Sequence, residues 1–141
     1  MLLDIVTPER RVRSLKNADV RLPVETDDVI LPGSEGEFEV MPGHSPFITL
    51  LGTGILSFKA NGQMQRLMVS GGFAEIDRDR VTVMCEAAAL PEEVTADTEA
   101  QSLVELEKRL QELGSVSLYH EKHRLLRAEA ERAASKLRLV K

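Results

Sequence analysis

The first 88 residues alternate apolar and polar positions in short runs, which is the pattern of β-strands that bury one face. Leu3–Val6 is the first such run. The later alternating positions are Val20, Leu22 and Val24, then Phe38 and Val40, then Leu56, Phe58 and Ala60. Many short strands at close spacing predict an antiparallel β-sandwich or a flattened barrel in this part of the chain.

Two hairpins can be placed within this region. Asn61-Gly62 separates the runs Leu56–Ala60 and Leu67–Val69. Asn-Gly is a strong hairpin signal because a two-residue type I′ turn needs a positive φ at both positions. A second hairpin is predicted from Phe73–Ile76 and Val81–Cys85, which flank a charged tetrapeptide.

The pattern changes near residue 89, where apolar positions begin to recur every three or four residues. Between Ala89 and Lys141, 35 of 53 residues are Ala, Glu, Lys, Leu or Arg, well above the ~50% that signals long helices. Thr95 is a candidate N-cap, and Gly114 with Ser115–Ser117 is a candidate helix end and turn. The two apolar stripes are Ala96, Ala100, Leu103, Leu106, Leu110 and Leu113, then Tyr119, His123, Leu126, Ala130, Ala133, Leu137 and Val140. Two amphipathic helices joined this briefly predict an antiparallel hairpin.

Composition narrows the classes of function. Lys plus Arg number 18 and Asp plus Glu 23, a net charge of −5, which disfavours nucleic-acid binding through a globally basic surface. Cys85 is the only cysteine, so an internal disulfide and a Cys-based zinc site are excluded, and a reducing, cytoplasmic compartment is expected. The start Met1–Asp4 and the lack of a long apolar run predict neither a signal peptide nor a helix that inserts into the bilayer.

The two predicted helices differ in charge. Pro91–Gly114 carries two basic and seven acidic residues, whereas Ser117–Lys141 carries seven basic and three acidic residues. One interpretation is that these charges form solvated faces that attract each other weakly. The alternative is that the basic second helix meets an acidic partner.

The chain lacks the motifs of the common enzyme classes. No P-loop sequence is present, and Gly52-Thr53-Gly54 lacks the third Gly of a dinucleotide fingerprint. Ser70 is better explained by a turn between strands than by a nucleophile elbow. His120 and His123 have i, i+3 spacing, whereas the helical two-His zinc motif uses i, i+4. We therefore predict no catalytic residue, no metal and no cofactor, and we regard His44, in a loop with two prolines, as a docking element.

Two segments are specific enough to indicate a family. Residues 31–46 are LPGSEGEFEVMPGHSP, and residues 69–76 are VSGGFAEI, followed by Val81-Thr82-Val83. Together with the opening Leu3–Pro8, these segments closely resemble the ε subunit of bacterial F-type ATP synthases. The resemblance runs in order over essentially the whole chain, although its helical part is less specific because Ala, Leu and Glu repeats occur in many helical proteins.

The resemblance implies a ten-stranded β-sandwich, residues 1–88, followed by a regulatory helix-loop-helix, residues 89–141. It also implies a non-catalytic subunit of the central rotor stalk, at the cytoplasmic face of the bacterial cell membrane. The sandwich is expected to dock on the γ subunit and on the c-ring, and the helices to reach the α/β catalytic subunits and inhibit ATP hydrolysis. The alternative is a β-sandwich adaptor subunit of another multiprotein assembly.

Particular residues acquire expected roles from the resemblance. Ser34, Glu35 and His44 match the segment that docks on the c-ring and γ. The basic second helix matches the element that approaches an acidic segment of the β subunit. Its candidate inhibitory contacts are Arg124, Arg127, Arg132, Lys136 and Arg138.

Some ε subunits bind ATP on the folded hairpin through an Ile/Leu-Asp-x-x-Arg-Ala motif. In an ungapped match, Thr95 stands in the Asp position, Thr98 in the Arg position and Glu99 in the Ala position. The substitutions remove the acceptor and the cationic donor, and Glu99 adds a carboxylate that repels phosphate. We therefore expect this chain to bind ATP very weakly or not at all.

Overall fold

The computed structural model of the 141-residue chain describes residues 1–9, 11–12, 14–15, 20–113 and 120–140. Within these residues, thirteen strands precede two long helices. The strands are β1 Leu2–Val6, β2 Arg11–Val12, β3 Ser14–Leu15, β4 Val20–Arg21, β5 Val24–Glu25, β6 Val29–Gly33, β7 Gly36–Val40, β8 Phe47–Leu50, β9 Thr53–Ala60, β10 Gln63–Ser70, β11 Phe73–Ile76, β12 Arg80–Met84 and β13 Ala87–Ala89. A 3₁₀ turn, Pro91–Glu93, leads to α1, Ala96–Leu113, and α2, His120–Val140.

Eleven of these strands form two facing sheets, so the predicted β-sandwich followed by a helical pair is confirmed. The first sheet has the order β2-β1-β12-β11-β8, with β5 also paired to β1, and the second has the order β13-β10-β9-β6-β7. β3 and β4 form a separate two-stranded ribbon. The pairings are antiparallel except that of β1 with β12, which is parallel and sets Leu3 opposite Val81.

The two predicted hairpins are present. β9 and β10 pair from Ala60 opposite Gln63, and the intervening Asn61 and Gly62 have φ values of 54° and 76°, as a type I′ turn requires. β11 and β12 form the second hairpin. The run predicted around Leu22 is interrupted instead, because Pro23 lacks the N–H that a strand interior needs and separates β4 from β5.

The core lies between the sheets and follows the alternation of the sequence. Leu3 and Ile5 of β1 meet Leu56 and Phe58 of β9 in one cluster, and all four are fully buried. Burial of side chains of this size contributes about 1.5–3 kcal/mol each. Because these side chains point inward, alternate residues of both sheets face outward.

Two different faces of α2 are buried. Leu126 and Ala130 pack on Leu106 of α1, as the predicted stripe requires. A second face packs Leu139 on Met68 and Ala89, on the outer side of the second sheet. This docking face was not predicted, and the predicted stripe of α1 is wrong at Ala100, which is exposed. The predicted turn around Gly114 and the side chains of Tyr119 and His123 lie outside the described residues.

Candidate docking site

The first sheet exposes an apolar strand at its edge. Ile48 and Leu50 of β8 are 68% and 66% exposed, and β8 ends the strand order of that sheet. Leu50 lies opposite Phe73, which lies opposite Met84, which lies opposite Val6. Side chains in register on one face of a sheet are neighbours, so these four form an apolar row. Exposed contiguous apolar surface is a common feature of macromolecular contact sites.

The turn that carries Ser34 and Glu35 lies at the Leu50 end of this strand. Both side chains are exposed, and the backbone N–H of Ser34 donates to the carbonyl of Leu50 at 3.0 Å. Gly33 and Gly36 close the turn opposite each other. A Cβ at Gly33 would lie 2.5 Å from the Gly36 carbonyl oxygen, so the tight closure requires glycine at residue 33. The carboxylate is therefore presented on a fixed backbone.

The loop that carries His44 lies at the Phe47 end of the same strand. The exposed imidazole packs 5.0 Å from the ring of Phe47, centroid to centroid, and Phe47 is 6.1 Å from the ring of Phe38. Its Nδ1 lies 3.2 Å from the carbonyl oxygen of Ser45. Gly43 adopts a φ of +83°, a conformation that glycine reaches without strain. The loop thus holds an imidazole against a small aromatic cluster.

The predicted site residues therefore form two groups. Ser34 and Glu35 precede β7 and His44 follows it, and a five-residue strand separates its ends by about 14 Å at 3.4 Å per residue. Between the two groups run the exposed side chains of Ile48 and Leu50. We call β8 with the turn 34–35 and the loop 41–46 the docking edge.

The five predicted inhibitory cations do not share one environment. Arg124 and Arg127 are exposed on α2, and neither has an ion pair among the described residues. The side chains of Arg132, Lys136 and Arg138 are engaged within the chain. Arg138 donates to Ser135 Oγ at 2.9 Å, and Lys136 Nζ lies 3.6 Å from Glu99 Oε1 on α1.

Arg132 contacts the sandwich. Its Nε donates to Ser70 Oγ at 2.7 Å, and its Nη2 donates to Glu86 Oε2 at 3.3 Å. Ser70 is buried, and its Oγ also lies 2.7 Å from Thr53 Oγ1. The sequence analysis predicted Arg132 as a contact with a partner subunit, whereas in this structure its side chain binds Ser70 and Glu86 of the same chain.

A groove of about 420 Å³ separates α1 from α2. Glu99, Glu105 and Glu129 line it together with three cations, which are Arg109, Arg132 and Lys136. Each cation lies within 4 Å of a carboxylate of this chain. The cations that line the groove among the described residues are thus each paired with a carboxylate, and very weak ATP binding stays a prediction.

Cys85 has the properties of a structural thiol. It is buried, and burial raises the pKa of the thiol to about 11, which suppresses the reactive thiolate. Ser70, weighed above as a nucleophile, is instead the acceptor for Arg132. In the part of the chain that the structure describes, no group of three or more potential ligands could hold a metal ion.

The comparisons with known proteins agree with one another. The family model described as ATP synthase, Delta/Epsilon chain, beta-sandwich domain matches residues 1–91. The chain is 40% identical over 111 residues to the ATP synthase epsilon chain of Nitratidesulfovibrio vulgaris strain DP4, covering 79% of this chain and 76% of that one. It is 32% identical over 138 residues to that of Geobacter sulfurreducens, covering 98% and 91%.

A solved assembly shares the fold. A chain in the cryo-EM structure of the Euglena gracilis mitochondrial ATP synthase, OSCP/F1/c-ring in rotational state 1, superposes with a TM-score of 0.75 at 19% identity. The match covers 96% of this chain and 78% of that chain.

The fold is a β-sandwich that exposes an apolar strand at one edge and carries a docked helical hairpin. On the family model and the relatives together, this chain belongs to the ATP synthase ε-chain family, the non-catalytic stalk subunits of that enzyme. The predicted family, fold class and non-catalytic role are thereby confirmed. Among the helices described, none is long and apolar enough to cross a membrane.

Proposed function

We propose that this chain docks through its sandwich on the γ subunit and the c-ring of an ATP synthase rotor, at the cytoplasmic face of the bacterial membrane. It couples proton translocation to ATP synthesis, and its helices inhibit ATP hydrolysis. The observation that carries the docking role is the exposed apolar row from Leu50 to Val6 on the first sheet. The helical pair leaves this row open because α2 packs on the other sheet.

The apolar row supplies the contact with γ. Leu50 and Phe73 are 66% and 38% exposed, and burying such side chains at an interface removes apolar area from water. The polar ends of the docking edge, Ser34 with Glu35 and His44, fix orientation against the polar loops of the c-ring and the neighbouring part of γ. Polar contacts of this kind contribute more to register than to affinity.

A matched pair of substitutions tests the γ contact. Leu50→Glu places a charge in the apolar row, whereas Met64→Glu places one on β10 of the other sheet, where Met64 is 49% exposed. We expect Leu50→Glu to abolish co-purification with γ and Met64→Glu to retain it. Normal binding of γ by a folded Leu50→Glu chain would exclude this surface.

The polar ends are tested in the assembled enzyme. Glu35→Ala combined with His44→Ala removes a carboxylate and an imidazole. The double substitution leaves the core intact, because both residues are exposed. We expect weaker assembly and reduced proton pumping in membranes carrying the variant. Unchanged assembly and unchanged pumping would show that the c-ring contact lies elsewhere on the sandwich.

The helical part, residues 89–141, supplies inhibition through the basic residues of α2, which approach an acidic segment of the catalytic β subunit. Arg124 and Arg127 are available in the docked form, and charge contacts across such an interface weaken with salt. A chain that ends at Ala88 tests both the boundary and the role. We expect it to fold, to bind γ, and to leave ATP hydrolysis by the complex unchanged or faster, and a truncated chain that cannot bind γ would contradict the two-part organisation.

A further inference from the structure

In the contact between α2 and the sandwich, one side chain of α2 donates two hydrogen bonds to the sandwich. The guanidinium of Arg132 reaches two acceptors on separate segments, Ser70 Oγ at the end of β10 and Glu86 Oε2 in the loop before β13. Ser70 is 2% exposed and hydrogen-bonded to Thr53 of β9. Three segments of the sandwich are thus tied to one helical side chain.

The two halves of this connection differ in strength. The Ser70 bond is short and its acceptor is buried, so water competes with it poorly, and hydrogen bonds from charged donors are the stronger kind. The Glu86 side chain is 67% exposed, and exposed ion pairs contribute little and are screened by salt. Ser70 is therefore the main acceptor, and Glu86 orients the guanidinium.

Three basic side chains of α2 form hydrogen bonds or ion pairs among the described residues, and of these only Arg132 binds the sandwich. Lys136 pairs with Glu99 of α1, and Arg138 bonds to Ser135 of α2 itself. Those contacts lie within the helical pair and move with it. Separation of the pair from the sandwich therefore breaks the bonds of Arg132 and leaves the others in place.

We propose that Arg132 is a latch that holds the helical hairpin on the sandwich through Ser70 and Glu86, and that its release makes the same cation available for inhibition. The second half rests on the proposed inhibitory role of α2. Docking on the sandwich and contact with the catalytic subunits then compete for one guanidinium. Variants that free Arg132 and variants that remove it should have opposite effects on hydrolysis.

A pair of thiols measures release of the latch in the full-length chain. Ser135 is 1% exposed and lies on the docking face of α2, between Arg132 and Leu139 at helical spacing. Ser135→Cys places a probe of nearly the same size there. The native Cys85, buried in the sandwich core, reports opening of the sandwich itself in the same reaction with a disulfide reagent.

We expect Arg132→Ala to accelerate the labelling of the thiol at 135 about 10- to 100-fold, as loss of a charge-assisted hydrogen bond predicts. Ser70→Ala should have a similar effect, Glu86→Gln and Arg132→Lys smaller ones, and the labelling of Cys85 should not change. Arg127→Ala, which removes an exposed charge from the same helix, is the matched control. Equal labelling in Arg132→Ala and Arg127→Ala, or parallel acceleration at both thiols, would overturn the latch.

Hydrolysis by the reconstituted complex tests the second half separately. Glu86→Gln and Ser70→Ala keep Arg132 but loosen it, so they should strengthen inhibition, whereas Arg132→Ala should weaken it. If the thiol measurements show release but neither class of variant changes hydrolysis, the latch stands and the proposed inhibitory role of this cation fails. If Glu86→Gln and Arg132→Ala change hydrolysis in the same direction, the competition for one guanidinium is wrong.

Discussion

Leu139→Ala should loosen the helical hairpin from the sandwich while leaving the sandwich intact. Leu139 is 8% exposed and packs on Met68 and Ala89. The substitution removes three carbons, which at about 0.8 kcal/mol each corresponds to about 2.4 kcal/mol. Because the site lies at the boundary between α2 and the sheet and can partly collapse, we expect a value near the low end of the about 2–5 kcal/mol measured for such truncations.

A loss of about 2–3 kcal/mol multiplies the population of the undocked form by about 30–150. Undocking removes the sandwich from one face of α2 and leaves only its packing on α1. Because packing supplies most of the stability of a helix, the helical hydrogen bonds of α2 then open more often and its amides exchange faster. Hydrogen–deuterium exchange followed by mass spectrometry should show faster exchange in α2 by that factor. Exchange in β9 and β10 should stay unchanged, because their core contacts lie on the inner face of the sheet.

Leu125→Ala provides the control. The substitution is chemically identical and lies on the same helix, but Leu125 is 64% exposed, so its truncation should change stability by less than about 0.5 kcal/mol. Equal exchange in the two variants would refute the reasoning, since it would mean that the burial of Leu139 contributes nothing. A proportional acceleration in β9 and β10 would show that hairpin and sandwich open as one unit.

Three further predictions concern single groups. Burial raises the pKa of the Cys85 thiol to about 11, so about one molecule in a thousand carries the thiolate at pH 8. Alkylation of Cys85 in the native chain should therefore be very slow, and urea should accelerate it. Rapid alkylation without urea would contradict the burial of this thiol. The negative charge of Asp28 raises the pKa of the exposed Glu39 carboxyl, so Asp28→Asn should lower that pKa in an NMR titration. The substitution should also stabilise the fold more at neutral pH than at acidic pH, because protonation of Glu39 below its raised pKa already relieves the repulsion. An unchanged Glu39 titration would refute the pairing. Calorimetric titration of the full chain with ATP should show no saturable binding in the micromolar range, because the cations between α1 and α2 are already paired with carboxylates; saturable binding there would show that another set of residues forms the site.

The strands of the sandwich could largely be predicted because their determinants are local. Asn61-Gly62 fixes a two-residue turn, and alternation fixes which side chains of β9 face inward. The parallel pairing of β1 with β12 could not be predicted in this way. It joins residues 78 positions apart, Leu3 and Val81, and no local pattern distinguishes that partner from another apolar strand.

The docking face of α2 could not be predicted for a different reason. Its members include Arg132 and Ser135, polar residues that a hydrophobic stripe analysis assigns to solvent. The guanidinium is satisfied by Ser70 of a distant strand and by Glu86 of a distant loop. The family resemblance predicted roles for Ser34, Glu35 and His44 from their segment but gave no separation between them, because the distance depends on the length and direction of β7.

The parallel pairing of β1 with β12 also limits how far the chain can fold while it is being synthesised. β1 leaves the ribosome before the other described strands, yet β12, its longest partner among them, is the last strand of the first sheet to appear. Until then, the pairings open to β1 among the described residues are the two-residue ones with β2 and β5. Contacts this distant in sequence slow folding. A nascent chain therefore keeps an apolar strand without its main partner through more than half of translation. A product that stops before Arg80 lacks the central strand, which joins β1 to β11 in the first sheet.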